Sequence, residues 1–142
     1  MRRKSMQVVV EEIVANAGLK GDFAAALILG HNFHLKATVS GFMPLVIEIT
    51  PDGDISIAHY YEQNGDLMRD PEICLDPISW RAVEYTQDNI GRYQRASPGC
   101  YLSRVDSFAN GLWARNLRAQ GFTGAEARFE SLSHDWDRAL AD

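Results

Sequence analysis

The sequence predicts an α+β fold: an antiparallel meander sheet of about four to five strands, flanked by N-terminal helices and a C-terminal helical hairpin. Three observations carry this expectation. Apolar residues recur at helical spacing before residue 30 and again after residue 103. Between those regions, period-two alternation runs through 45–50 and 55–61. The turn signals Pro51-Asp52-Gly53-Asp54 and Asn64-Gly65-Asp66 punctuate the alternating segments as hairpins.

Each element has its own warrant. Over 5–17, Val9, Val10, Ile13, Val14 and Ala17 share a helix face opposite Glu11, Glu12 and Asn16, and Gly18 is placed to cap the end. Asp22 is expected to cap a short second helix over 23–29, which Gly30 ends. The segment 33–39 is rich in strand formers, and Ser40-Gly41 is a turn signal. A strand follows at 42–50, with Pro44 near its start, where a missing N–H is tolerated. The returning strand puts Ile55, Ile57, His59 and Tyr61 on one face and Ser56, Ala58, Tyr60 and Glu62 on the other. The next segment, 67–75, contains Pro71, which predicts an edge position or a bulge. The last strand expected is 80–86, and 87–95 is compatible with a continued strand or a turn-rich loop. Ser103 is expected to cap a helix to about residue 120 with a stripe of Val105, Phe108, Ala109, Leu112, Trp113 and Leu117. Thr123-Gly124-Ala125-Glu126 has the form of a capping box, and Phe129, Leu132, Trp136 and Leu140 after it are spaced for a second helix over 124–141.

The chain has 142 residues, which fits one domain, with 46% hydrophobic and 23% charged residues. The net charge of −5 and the absence of a basic stripe beyond Arg2-Arg3-Lys4 speak against a nucleic-acid partner. No apolar run approaches the ~20 residues that span a bilayer, so a cytoplasmic location with no membrane contact is expected. Glu11 and Glu12 interrupt the valine run, so no signal-peptide core forms. Cys74 and Cys100 form no CxxC pair and are expected to stay reduced, Cys74 in a strand core and Cys100 in a loop.

Polar chemistry concentrates in 55–75. His59 with Glu62, Asp66, Asp70 and Glu72, and Glu48 one hairpin away, are hard ligands that suit Mg²⁺ or Mn²⁺ in phosphodiester chemistry. That layout wants a lysine nearby, and none follows Lys36; Arg69 would be a poor base. The same acids also read simply as a solvated hairpin. His31 and His34 lack the spacing of zinc sites, and Ser133-His134-Asp135 falls on a helix surface. There is no G-x-S-x-G, G-x-G-x-x-G or P-loop. No catalytic set, cofactor or metal site is therefore expected. The remaining candidate is a recognition surface of His59, Tyr60, Tyr61 and Tyr93 beside Glu62, Asn64, Asp66 and Asp70, because tyrosine offers contact area with a polar tip. The alternation places His59 on the isoleucine row, where a buried, hydrogen-bonded imidazole is the expected state.

The strings FMPLVIE (42–48), ISIAHYYEQNGDLMRDPEI (55–73), Trp80, YTQDNIGRYQ (85–94) and WARNLRAQGF (113–122) resemble a family of short bacterial proteins classed as a domain of unknown function. The resemblance covers residues 33–122 and leaves 123–142 as a C-terminal helical extension. It implies a plasmid, phage or integrative-element setting, and no activity. In that setting it implies a non-enzymatic interaction protein, an antagonist of a host defence system for example. Such a protein would bind a protein partner or a small polar ligand, and an uncovered edge strand would admit a homodimer. A metal-dependent phosphodiesterase or nuclease, and a DNA-associated accessory protein, are the alternatives.

Overall fold

The computed structural model describes residues 3–30 and 33–131. Helix α1 (Ser5–Asn16) buries Met6, Val9, Val10, Ile13 and Val14, the face its spacing predicts. It ends in a paired-carbonyl cap. Gly18, at φ 77°, donates to Ala15 O at 3.0 Å, and Leu19 donates to Val14 O at 2.9 Å. Helix α2 (Lys20–Leu29) begins earlier than its sequence signals. Leu19 is the capping position, and Asp22 lies in the first turn, where a carboxylate favours the positive end of the helix. Gly30, at φ 73°, closes it.

The strands are β1 (His34–Thr38), β2 (Leu45–Ile49), β3 (Ile55–Gln63), β4 (Asp66–Leu75), β5 (Ala82–Gln87), β6 (Arg92–Arg95) and β7 (Arg128–Ser131). They form one antiparallel sheet in the order β6-β5-β4-β3-β2-β1-β7. The α+β class and the meander hold, and among the described residues the sheet has seven strands rather than the four or five expected. A turn over Asp88–Ile90 folds 92–95 back as a further strand. Pro71 sits not on an edge but in the middle of the sheet, at a bulge. Ala58 pairs with Glu72 and Tyr60 with Arg69, so Asp70 and Pro71 together oppose His59. The missing N–H of Pro71 thus falls where the ladder is already interrupted.

Two expectations about the C-terminal third are corrected. The helix α3 spans 103–119 and contains a π-helical stretch, Ala109–Trp113, between Ser103–Phe108 and Ala114–Ala119. The wider turn rotates the buried stripe: Ala109, Trp113, Ala114 and Leu117 go inside, while Phe108 and Leu112 are exposed. Ser103 makes no side-chain cap. The second arm of the helical hairpin is absent from 121–131. Thr123-Gly124-Ala125-Glu126 is a turn, and 128–131 is β7, paired with β1 from Leu35↔Ser131 to Thr38↔Arg128. The rest of that expected helix, with Leu132, Trp136 and Leu140, lies outside the described residues.

The three helices of the described residues pack on one face of the sheet. Their buried residues form a single cluster with Leu35, Ala37, Leu45, Ile47, Ile49, Ile55, Ile57, Ile73, Leu75 and Ala82. Each fully buried aliphatic side chain there contributes roughly 1.5–3 kcal/mol relative to exposure. Val46, Ala58 and Cys74 are also buried but belong to the opposite face, outside that cluster. On that second face the register lines up two cross-strand rows. One runs His34, Glu48, Ser56, Cys74, Glu84, Arg95, and the other Lys36, Val46, Ala58, Glu72, Thr86, Tyr93.

Candidate functional site

The sheet divides the recognition surface expected from the sequence. His59 faces the helices, 7% exposed, with its ring 5.8 Å from both Trp113 and Phe122. Its Nδ1 lies 3.2 Å from Met43 O and 3.3 Å from Pro44 O, so the neutral ring carries its proton there. Burial lowers the imidazole pKa, against the pull of the two carbonyls and of Asp70. Tyr61, half-buried, alternates onto the same side. Tyr60, Glu62 and Tyr93 alternate onto the polar face. Burial, then the charges of Glu72 and Glu48, push the Tyr60 hydroxyl pKa up to about 12. Tyr93, 62% exposed, donates to Glu84 Oε1 at 2.6 Å. Asn64 (φ 53°) and Gly65 (φ 85°) form the two-residue turn between β3 and β4, and Asp66 pairs with Gln63 beside it. Asp70, in the bulge, accepts from Gln87 Nε2 at 2.9 Å, and Tyr85 donates to the same Gln87. Among the described residues, His59, Glu62, Asp66 and Asp70 do not converge within metal-ligand reach.

What the fold does build is a cleft of about 870 Å³ at one end of the sheet. That is within the ~300–1,000 Å³ of small-molecule sites. Four separated segments line it: the start of α1 (Arg3, Lys4, Gln7), Asp54 of the β2–β3 turn, the β4–β5 connection (Asp76, Ile78, Ser79, Arg81), and 95–101. The β4–β5 connection is held rigidly. Asp76 N–H donates to Arg81 O at 2.9 Å, Trp80 N–H donates to Asp76 O at 2.8 Å, and Ile78 and Ser79 N–H both donate to Asp76 Oδ1. Those backbone donors hold the Asp76 carboxyl below its ordinary pKa. Trp80 adopts φ 60°, uncommon for a bulky residue, and buries its ring 6.2 Å from Phe23. Its buried ring anchors the connection, whose neighbours Ser79 and Arg81 line the cleft.

The charges of the cleft are unevenly engaged. Asp54 accepts from Arg95 Nη1 at 3.2 Å, and burial raises its pKa. Lys4 is paired with Asp106 at 2.9 Å, and Arg3 with Glu11. Arg81 makes no ion pair among the described residues; its guanidinium lies 4.5 Å from the centroid of Tyr101. Both cleft carboxylates are thus held by partners within the protein, and the uncommitted charge is positive. No motif announces these residues. The one local signal is Asp76-Pro77-Ile78-Ser79, a sequence suited to a side-chain-capped turn.

The fold and cleft define an α+β protein with helices on one side of an antiparallel sheet and a pocket of small-ligand size at the sheet end. The chain belongs to the family described as "Domain of unknown function (DUF6908)", whose sequence model matches residues 8–123. The match takes in most of α1 and all of α2, as well as the strings at 42–122. No curated protein and no solved structure matches the chain. Among the described residues, no helix is long and apolar enough to cross a membrane.

Proposed function

We propose that the protein is a non-enzymatic binding protein that takes a small polar anion, bearing carboxylate or phosphate, in the cleft between α1 and the β4–β5 connection. The observation that carries this is Arg81, stacked on Tyr101 and free of a carboxylate partner among the described residues, in a cleft whose own acids are engaged. An arginine resting over an aromatic ring loses less freedom when it binds a carboxylate or phosphate in a forked pair. Ser79 and Ser97 line the same cleft, and a serine hydroxyl is a neutral hydrogen-bond donor.

The mobile-element setting, with antagonism of a host defence system as the role, rests on the family resemblance and belongs to the same proposal. A protein partner would then be recognised through an acidic group reaching Arg81. The metal-dependent nuclease alternative has less behind it, because Glu48, Glu62 and Glu72 lie on the face of the sheet opposite His59.

The test is thermal unfolding with citrate, inorganic phosphate and a nucleoside monophosphate as probes, on the wild type and on Arg81→Ala. A ligand that binds only the folded state raises the midpoint in proportion to RT ln(1 + [L]/Kd). At least one anion is expected to raise the wild-type midpoint and to leave Arg81→Ala unmoved. No rise with any of them, or an equal rise in both proteins, overturns the proposal.

A further inference from the structure

On the polar face of the sheet, joined to the cleft through Arg95, Glu72, Cys74 and Glu84 bring one donor atom each to within 4.8 Å of one another. The register explains why they meet. Cys74 pairs with Glu84, and Glu72 pairs with Thr86, so the four residues form a square across β4 and β5 with their side chains on one face. Cys74 is 1% exposed and Thr86 4%.

The two carboxylates are oriented oxygen by oxygen. Glu72 Oε1 accepts from Arg69 Nη1 at 3.3 Å, and its Oε2 accepts from Ser56 Oγ at 2.6 Å. Glu84 Oε1 accepts from Tyr93 at 2.6 Å and lies 3.6 Å from Arg95 Nη1, while its Oε2 accepts from Cys74 Sγ at 3.3 Å. The arginines and Tyr93 thus hold the Oε1 atoms and leave Glu84 Oε2 to the thiol. Groups that fix ligand orientation in this way are characteristic of the outer shell of metal sites. An independent observation points to an additional ligand. Thr86 Oγ1 is buried beside Glu72 and has no hydrogen-bond partner. A buried hydroxyl of that kind calls for a water or an ion.

We propose that Glu72, Cys74 and Glu84 bind a zinc-class divalent cation, with Thr86 Oγ1 hydrogen-bonded to a water in its fourth position. Sulfur with two carboxylates suits Zn²⁺ or Co²⁺, whereas Mg²⁺ and Ca²⁺ prefer oxygen alone. The thiol proton leaves to solvent as the metal–thiolate bond forms, so the ion takes the place of the proton now shared with Glu84. Two carboxylates and a thiolate with a divalent ion carry a net −1, which Arg69 and Arg95 flank. Glu84, with its side chain 21% exposed, gives the ion a way in. The site staples β4 to β5.

The experiment is a Co²⁺ titration of the full chain after chelator dialysis, read by the thiolate-to-cobalt charge-transfer band in the near ultraviolet. The band is expected at one equivalent in the wild type and in Cys100→Ser. It is expected to vanish in Cys74→Ser and in Glu84→Gln. Glu84→Gln is on a partly exposed side chain, and its circular dichroism reports whether it folds. Ser56→Ala is expected to weaken binding about 10–100-fold without removing the band. A wild type with no band, or a band that survives both Cys74→Ser and Glu84→Gln, overturns the site. Arg81→Ala, which disables the cleft, should leave the titration unchanged, so the two proposals fail separately.

Discussion

Lys4 and Asp106 are 102 residues apart in the chain and 2.9 Å apart in space. The other oxygen of Asp106 accepts the N–H of Ala82 at 3.0 Å. One carboxylate therefore ties the start of α1, the start of β5 and the first turns of α3 together, directly behind Lys4 and Arg81 of the cleft. Asp106→Ala leaves the buried Ala82 N–H without an acceptor, which costs about 1–3 kcal/mol. Asp106→Asn keeps an acceptor oxygen, loses only the ion pair, and is expected to cost less. Urea denaturation of the two variants checks the order; an Asp106→Ala midpoint equal to wild type would refute the tie.

His59 makes stability depend on pH in a defined window. Its folded pKa is lowered by burial between Trp113 and Phe122. The unfolded chain binds a proton near the ordinary ~6.5, and the folded chain only below that. The contribution is complete above the unfolded value and is lost as pH falls through it towards the folded one, at up to ~1.4 kcal/mol per pH unit. The pH dependence of the unfolding free energy between about pH 7 and 5 should flatten in His59→Gln. An identical slope in both proteins would show that His59 is not buried as a neutral ring.

Asp88 binds Arg69 three times. It accepts Arg69 N–H at 2.8 Å, Nε at 2.9 Å and Nη2 at 3.1 Å, and these bonds hold its carboxyl below the usual pKa. The pair clamps the β5–β6 turn to β4. Asp88 is half-buried, with its side chain 23% exposed, and its partner Arg69 is 40% exposed, so Asp88→Ala should cost about 1 kcal/mol. A depressed carboxylate stabilises above its unfolded pKa and loses that contribution as pH falls through the folded value. The difference between wild type and Asp88→Ala should accordingly shrink in acid, which chemical denaturation at several pH values measures.

Asn64 and Gly65 both have positive φ, at 53° and 85°. That conformation, rather than ligand contact, accounts for the Asn-Gly pair at the tip of the β3–β4 hairpin. Gly65→Ala should destabilise by about 1 kcal/mol, and Asn64→Gly by a few tenths at most. Both variants should bind cleft ligands as the wild type does. A loss of anion binding in Asn64→Gly with stability intact would return the hairpin tip to the site.

The parts of the fold legible in the sequence are those written in local periodicity and turn chemistry. Alternation in 45–49 and 55–61, Pro51 to Asp54, and Asn64-Gly65 specify the central hairpins without reference to the rest of the chain. Strand β6 escaped because Arg92 to Arg95 are all exposed and carry no apolar face. Strand β7 escaped because it pairs with β1, far back in the chain, while Thr123 to Glu126 satisfy a helix-start pattern locally. The π-helical turn at Ala109–Trp113 moved Phe108 and Leu112 outwards, which no stripe of regular spacing anticipates. The cleft was illegible for the same reason as β7: its wall is assembled from segments near residues 4, 54, 80 and 98. The density of acids around 55–75 drew attention to a hairpin whose side chains the sheet then sends to opposite faces.

The central claim is that an anion enters the cleft at Arg81. The most direct test is an amide chemical-shift titration of isotope-labelled protein with the anion that most raises its thermal midpoint. The account predicts that shifts concentrate at Ser79, Arg81 and 97–101, and disappear in Arg81→Ala. Shifts centred instead on Tyr60, Tyr61 and Asn64 to Asp66, with the cleft amides unmoved, would contradict it.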